Sequence, residues 1–536
     1  MDLAPKRPTT DVVVIGCGAG GGVIAKELGE AGFSVVVLDA GRRFDPATDY
    51  PTDRQDFEVS ARHVFDAKDD RRDRYTQPLG SSFSYNHVKG VGGSTLRYLA
   101  ISPRLHESDF RARSEDGIAD DWPISYADLE PYYTRVEYEL GVSGPEGAQA
   151  NPFEPPRSRP YPTPPHAFNR ASKAVKHGAD RLGLHLVREP LAIPTTGWNG
   201  RPACIGAGTC GLGCSISAKS SIDVTYVPKA EATGRVEIRP ESMAREITVG
   251  PDGRARSVVY YDAAGREHEV RGRAIVVACN AVETPRLLLM SSSSRFPDGL
   301  ANSSGVVGKY FTEHLGVWTT ALFSERLDPW RGAPSGGLIQ DYYATDSRRN
   351  FARGWSTLVT HSTHWPLYVA QRTRGWGAEH KARTKQLFAH FARVASIGEQ
   401  LPDARNQVQL DPLVKDSFGL PVPHLVNRAY DNDKAMIQAI SLRQRELLEA
   451  AGGTEISETG HQPGMGAHYH GTCRMGTNPA TSVVDPWCRT HDVPNLFIGD
   501  SSVFVTSGAV NPALTISALA TRTADGIADA FRRGDL

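Results

Sequence analysis

The first strongly patterned stretch is Asp11-Val-Val-Val-Ile15, an apolar run that stops at glycines and predicts a strand buried on both faces. Gly20 to Ala31 follows with Ile24, Leu28 and Ala31 on one helical face, and Ser34 to Leu38 is a second apolar strand. This is a βαβ unit of the kind that opens a nucleotide-binding fold. Residues 42–85 are charged and loop-like, and 145–165 carry many prolines, which predicts a path over the surface. Val236 to Val277 is strand-rich, turned at Pro251-Asp252-Gly253 and Ala263-Ala264-Gly265. It ends in the buried strand Ala274-Ile-Val-Val-Ala-Cys279, ahead of a helix start at Thr284-Pro285. Residues 310–460 read as mixed strand and helix, with a helix around Ala435–Ala450. The chain closes with a strand into the Gly499-Asp500 turn, a loop and a terminal helix within Pro512–Phe531. There is no internal repeat or low-complexity tract.

Composition narrows the classes. With 536 residues and a hydrophobic fraction of 40%, there is material for two or three domains. Sixty basic against 61 acidic side chains leave no electrostatic footprint for nucleic acid or an anionic membrane. No apolar run is long enough to span a bilayer, and the opening MDLAPKRPTTD lacks the apolar core of a signal peptide. Seven cysteines do not make a secreted disulfide framework, so a cytoplasmic location is expected.

Gly16-Cys-Gly18-Ala-Gly-Gly21 fits G-x-G-x-x-G: a tight turn, a close backbone approach to a pyrophosphate, and close helix–strand packing. The pyrophosphate belongs at the helix N-terminus, and Asp39, closing the second strand, is placed for ribose hydroxyls. This unit alone does not separate NAD from FAD. The rest of the chain does, through Val88-Lys-Gly90-Val-Gly-Gly93-Ser94-Thr95, His468-Tyr-His-Gly471-Thr472, Gly499-Asp500 and Asn511-Pro512 in fixed order. Glu399, Pro402, Asn406, Val408, Asp411, Asp416, Gly419 and Pro421 add an E-x-x-P…N-x-V…D-x-x-G-x-P pattern. From Asp11 to the last helix the chain resembles the glucose–methanol–choline family of flavin oxidoreductases. Among its members it looks most like the bacterial sugar, polyol and glycoside oxidoreductases and the pyranose oxidases.

The resemblance implies a mixed α/β and α+β architecture. A Rossmann-like FAD-binding domain, discontinuous in sequence, would comprise residues 1–310, with insertions about 42–85 and 110–200, and residues 464–536. A substrate domain on a mixed or antiparallel sheet would occupy 311–463. Gly16, Gly18, Gly21 and Asp39 then hold the ADP end, Gly92, Gly93, Ser94 and Thr95 the flavin and pyrophosphate, and Gly499 and Asp500 the pyrophosphate and ribityl chain. Several relatives tether FAD through a His just after the double glycine; here the text is Ser94-Thr95-Leu96-Arg97, so non-covalent FAD is expected. His87, ahead of the glycines, is read as a surface or packing residue.

For catalysis the resemblance points to His468 and Asn511. Oxidising an alcohol removes a hydride from carbon and a proton from oxygen; flavin N5 takes the first and an imidazole suits the second. The Asn amide would orient the hydroxyl. His470 is a rival base, because two positions along an extended segment face the same way. His314 is expected to pack or to lie beside the flavin.

The expected reaction is oxidation of CH–OH to C=O on a sugar, glycoside, aminosugar or polyol, with oxygen or another acceptor taking the electrons. A hydroxynitrile-lyase-like enzyme with non-redox FAD is the alternative of another class. Cys204-x5-Cys210-x3-Cys214 has a spacing similar to the iron–sulfur site of bacterial FAD-dependent glucose dehydrogenases, which opens a further alternative, an electron-transfer dehydrogenase using a quinone or cytochrome. Ala207 and Ser215 depart from that pattern, and the competing reading is free thiols or one local disulfide; no metal ligands are assigned. Trp355, His361, His364, Trp365, Tyr368 and Trp376 offer stacking faces and polar tips for a polyhydroxylated ligand.

Overall fold

Two sheets organise the molecule, a computed structural model that describes residues 9–50, 73–81, 83–147, 150–360, 369–370, 373–462 and 467–536. The first sheet starts from the valine runs. β1 (Thr9–Ile15), α1 (Gly21–Glu30) and β2 (Val35–Leu38) form the expected βαβ unit, with Val12↔Val35 to Ile15↔Leu38 in parallel register. α2 (Tyr126–Leu140) begins at a Ser125–Asp128 capping box. β3 (Val236–Arg239), β4 (Met243–Val249), β5 (Ala255–Tyr261) and β6 (Glu267–Val277) give the order β3-β2-β1-β6-β5-β4. β4 and β5 are antiparallel to their neighbours, which makes the sheet mixed. α3 (Asn280–Met290) follows β6 directly, as Thr284-Pro285 suggests.

The later strands are β7 (Thr312–Glu313), β8 (Leu315–Leu322), β9 (Ser335–Ile339), β10 (Trp355–Thr360), β11 (Phe391–Gly398), β12 (Gln407–Lys415), β13 (Pro421–Val426), β14 (Thr454–Gln462) and β15 (Tyr469–His470). Five of them form an antiparallel sheet in the order β14-β8-β11-β10-β9, while β12 pairs with β13 and β15 with β7. α4 (Asp431–Ala450) covers that sheet with Met436 and Ile440 against Leu315 and Val317. It begins before the expected Ala435, because the Asp433 carboxylate accepts from the Tyr430 amide and secures an earlier turn.

β16 (Leu496–Ile498) returns to pair in parallel with β6, so the C-terminal segment completes the sheet begun at the N-terminus. α5 (Ala513–Arg533) closes the chain and meets α2 through Tyr133 and Thr515, 2.8 Å between hydroxyls. The combination of a Rossmann-like sheet with an antiparallel second sheet is the expected fold class. No helix among the described residues is long and apolar enough to cross a membrane.

Candidate active site

A single cavity of about 520 Å³ runs between the sheets, from the glycine turn after β1 to the antiparallel sheet. Gly16, Gly18, Asp39, Gly93, Ser94, Thr95, Asp500, His468 and Asn511 all line it. Gly21, Gly92 and Gly499 do not line it. Sequence reasoning passed over Gly20, yet a Cβ there would lie 1.7 Å from the carbonyl oxygen of Gly499. Gly20 is where the C-terminal turn seats on the N-terminal one. Around Gly18 the nearest atom to such a Cβ is Gly93 Cα at 3.7 Å, so its face toward the cavity stays open.

The acidic residues at this end are already structural. Asp39 Oδ2 accepts from the Cys17 amide and Oδ1 from the Gly41 amide, both at 2.9 Å, and burial pushes its pKa up. The residue also lines the cavity. Asp500 accepts from the Asn280 amide at 3.0 Å and the Ser502 amide at 2.8 Å, joining the start of α3 to the turn after β16. Thr95 Oγ1 donates to Gly92 O at 2.6 Å and accepts from the Ile222 amide at 3.0 Å, which holds the double-glycine loop in shape. These features fit FAD: a carboxylate at the end of β2, an open glycine face at the start of α1, and one continuous cavity beyond.

Three histidines meet at the other end. His314 Nε2 lies 2.8 Å from Gly508 O, and its Nδ1 lies 3.0 Å from His468 Nδ1. A carbonyl only accepts, so His314 carries hydrogen on Nε2. Burial lowers the His314 pKa to about 4, so the ring is neutral and its Nδ1 accepts. His468 therefore donates through Nδ1–H, which leaves the lone pair on its Nε2. That atom faces Asn511 Nδ2 at 3.4 Å. Burial, and then the neighbouring His314, hold the His468 pKa well below the usual imidazole value. Asn511 Oδ1 is buried without a hydrogen-bond partner among the described residues.

His470 is placed differently. It is fully buried, stacks on Phe504 with ring centroids 5.2 Å apart, and lines no part of the cavity. His87 packs against Tyr85 at 4.2 Å and also reaches the cavity wall. Of the aromatic residues expected near substrate, Trp355 is buried with Leu315, Met436 and Ile440 instead, and Trp376 is 90% exposed. Their alternation along the chain could not say which sheet face meets the cavity. His361, His364, Trp365 and Tyr368 lie outside the described residues. The antiparallel sheet contributes Trp318, Leu358, Thr360 and Ala395, which sequence reasoning missed. Arg97 also lines the cavity and forms no ion pair among the described residues.

Cys204, Cys210 and Cys214 are free thiols. Among the described residues no group of three His, Cys, Asp or Glu side chains is placed to hold a metal ion. An iron–sulfur site at this loop is therefore unsupported. The loop is tied to the segment that follows the double glycine by Lys219, whose Nζ donates to Cys210 O at 2.7 Å and Leu96 O at 2.8 Å.

Residues 163–316 and 402–520 match the two models of the GMC oxidoreductase family. The chain is 35% identical to 2-methyl-1,2-propanediol dehydrogenase of Mycolicibacterium austroafricanum, covering 97% of this chain and 96% of that protein. It is 30% identical to the fructose dehydrogenase large subunit of Gluconobacter japonicus, covering 98% and 99%, and 30% to paromamine 6'-oxidase of Streptomyces fradiae, covering 97% and 91%. Among solved structures, pyridoxine 4-oxidase from Mesorbium loti superposes with a TM-score of 0.68 at 17% identity, over 97% of this chain and 99% of that one. This chain belongs to the GMC oxidoreductase family, FAD-binding enzymes that act on alcohol groups.

Proposed function

We propose that this protein oxidises a CH–OH group on a polyol, sugar, glycoside or aminosugar, with FAD held non-covalently and His468 as the base. The observation that carries the reading is the pair at the far end of a cavity that begins at Asp39: the His468 Nε2 lone pair faces Asn511 Nδ2 at 3.4 Å, and Asn511 Oδ1 is buried without a partner among the described residues. Bound FAD supplies the hydride acceptor. Gly16, Gly18, Gly21 and Asp39 would hold its ADP end, Gly92 to Thr95 its middle, and Gly499 and Asp500 the pyrophosphate and ribityl chain.

The substrate hydroxyl gives its proton to His468 Nε2 while the C–H pair leaves as hydride, and the C=O bond forms. A neutral imidazole is ready for that proton without first losing one. Asn511 holds the hydroxyl so that the C–H bond is directed away from His468. Trp318 and Leu358, from the antiparallel sheet, offer apolar surface for the carbon skeleton. No His follows the double glycine, which supports dissociable FAD.

Relatives named for 2-methyl-1,2-propanediol, fructose, paromamine and gluconate define the first substrate panel. Under anaerobic conditions at least one of these alcohols, or a close analogue, should bleach the bound flavin. Flavin that dithionite reduces but no alcohol of the panel or its analogues does would sink the oxidation reading and favour a non-redox use of FAD. Acid precipitation should release all FAD into the supernatant; flavin left on the denatured chain would defeat the non-covalent assignment.

A further inference from the structure

Behind the histidines lies a buried charge cluster whose members do not line the cavity. Arg353 donates through Nε to Glu399 Oε2 at 2.7 Å, through Nη1 to Asp116 at 2.9 Å, and through Nη2 to Asp109 Oδ1. Arg353, Glu399 and Asp109 are all at most 3% exposed. Burying three ionisable groups is costly unless their geometry is well satisfied, and removing one partner leaves the others uncompensated.

The cluster grips one short turn. Glu399 Oε1 accepts from the Gly508 amide at 3.1 Å. Asp109 Oδ2 accepts from the Tyr343 hydroxyl at 2.6 Å, and that hydroxyl accepts from the Ala509 amide at 3.1 Å. Consecutive amides of the turn are thus held by consecutive members of the cluster. Gly508 itself has φ +57°, and a Cβ there would lie 2.4 Å from Leu105, 2.9 Å from Asp109 and 3.0 Å from the Tyr343 hydroxyl. The other side of the same residue, Gly508 O, is the acceptor for His314 Nε2–H. The turn then runs directly to Asn511.

We propose that the buried Arg353–Glu399–Asp109 cluster, acting through Tyr343 and Gly508, is a positioning device that fixes the tautomer of His468 and the placement of Asn511. None of its members touches the reacting atoms. Glu399 opens the E-x-x-P pattern, whose glutamate has no other assignment here. The proposal rests on the reading of His468 as the base, and the test separates the two.

The test uses FAD-loaded protein with histidine-selective 15N labelling, His468 being assigned by its loss in His468→Gln. The wild type should show His468 protonated on Nδ1 and bare on Nε2. Glu399→Gln removes the charge, and Tyr343→Phe removes only the hydroxyl that links Asp109 to the turn. In both, the His468 signals should move toward a mixture of tautomers. Anaerobic flavin reduction, with the alcohol from the panel that bleaches the flavin, should slow at saturation by about 10- to 100-fold for Glu399→Gln. The loss for Tyr343→Phe should be about 3- to 10-fold, the worth of one hydrogen bond. The apparent substrate affinity should hold. Should Glu399→Gln fail to fold, Tyr343→Phe carries the test.

Unchanged His468 signals in a folded variant overturn the proposal, whether the rate falls or not, and leave the cluster as a plain buried ion pair. His468→Gln that reduces flavin at the wild-type rate instead overturns the base assignment. The tautomer readout on the cluster still stands in that case.

Discussion

The two ends of the cavity are built by opposite means. At the end proposed for the ADP of FAD, Gly16 to Gly41 form one contiguous stretch, and the bonds that shape it run to backbone amides, such as those of Cys17 and Gly41 to Asp39. At the proposed catalytic end, His314, His468 and Asn511 come from three distant segments and meet mainly through side chains. The first end is set by how closely backbones can approach, so an added atom meets an immovable wall. The second is set by orientation, so a lost atom leaves the fold in place and changes the rate. Substitutions at the two ends should fail in different currencies, occupancy at one and rate at the other.

The largest effect should come from Gly20→Ala. Its Cβ collides with the Gly499 carbonyl, backbone against backbone, and relief requires moving the turn that carries Asp500. A loss of about 3 kcal/mol or more is expected, read as colourless protein with a lowered melting temperature. Yellow Gly20→Ala protein melting like the wild type would erase the contrast between the ends.

His468→Ala should keep FAD and its spectrum yet slow anaerobic flavin reduction by about 10²–10⁴. Asn511→Ala should slow the same step, and the double variant should lose less than the product of the two, because both groups act on one hydroxyl. Multiplicative losses would mean that the two act on different atoms.

Asp39→Asn should be smaller and of the other kind. One backbone amide would face an NH₂ group in place of an oxygen, a cost of about 1–3 kcal/mol for an unsatisfied donor. FAD should dissociate more readily, by roughly tenfold or more on that scale, while protein saturated with FAD reduces at the wild-type rate. A rate defect under saturation would show that the ends are not separable.

The mildest change should be His470→Phe, because the ring is buried, stacked on Phe504 and without a hydrogen-bond partner among the described residues. Flavin reduction should hold to within about threefold, less than one hydrogen bond is worth. Stability in acid should change instead. His314 and His470 both have folded pKa values below the unfolded value of about 6.5. The unfolded chain therefore binds more protons below that pH, and stability present at pH 7 is lost as pH falls. Each ring can contribute up to about 1.4 kcal/mol per pH unit. Melting temperature against pH should accordingly be shallower below pH 6.5 in His470→Phe. An unchanged slope would mean that His470 binds its proton as readily in the folded protein as in the unfolded chain.

The sequence alone determined the first βαβ unit, because a valine run, spaced glycines and an acid at a strand end constrain backbone that is local in the chain. It also determined that Gly499-Asp500 and Asn511-Pro512 return to the nucleotide-binding part, but only through resemblance, since nothing local in those residues specifies where they dock. Its choice of His468 over His470 rested on the same resemblance. Both lie within van der Waals reach of His314, with ring centroids 5.1 and 4.9 Å away, and strand alternation treats them alike. Tertiary structure separates them because β15 is only two residues long: His468 precedes it at the cavity wall, while His470 sits inside it beneath Phe504. Trp355 is buried away from the cavity and Trp318, which the sequence did not single out, lines it for a similar reason, since the face of the antiparallel sheet that α4 covers is decided by packing. The role of Glu399 was hidden most completely. Its partners Arg353 and the Gly508 amide are distant in the chain, and only a folded interior brings one carboxylate to both a guanidinium and a backbone turn.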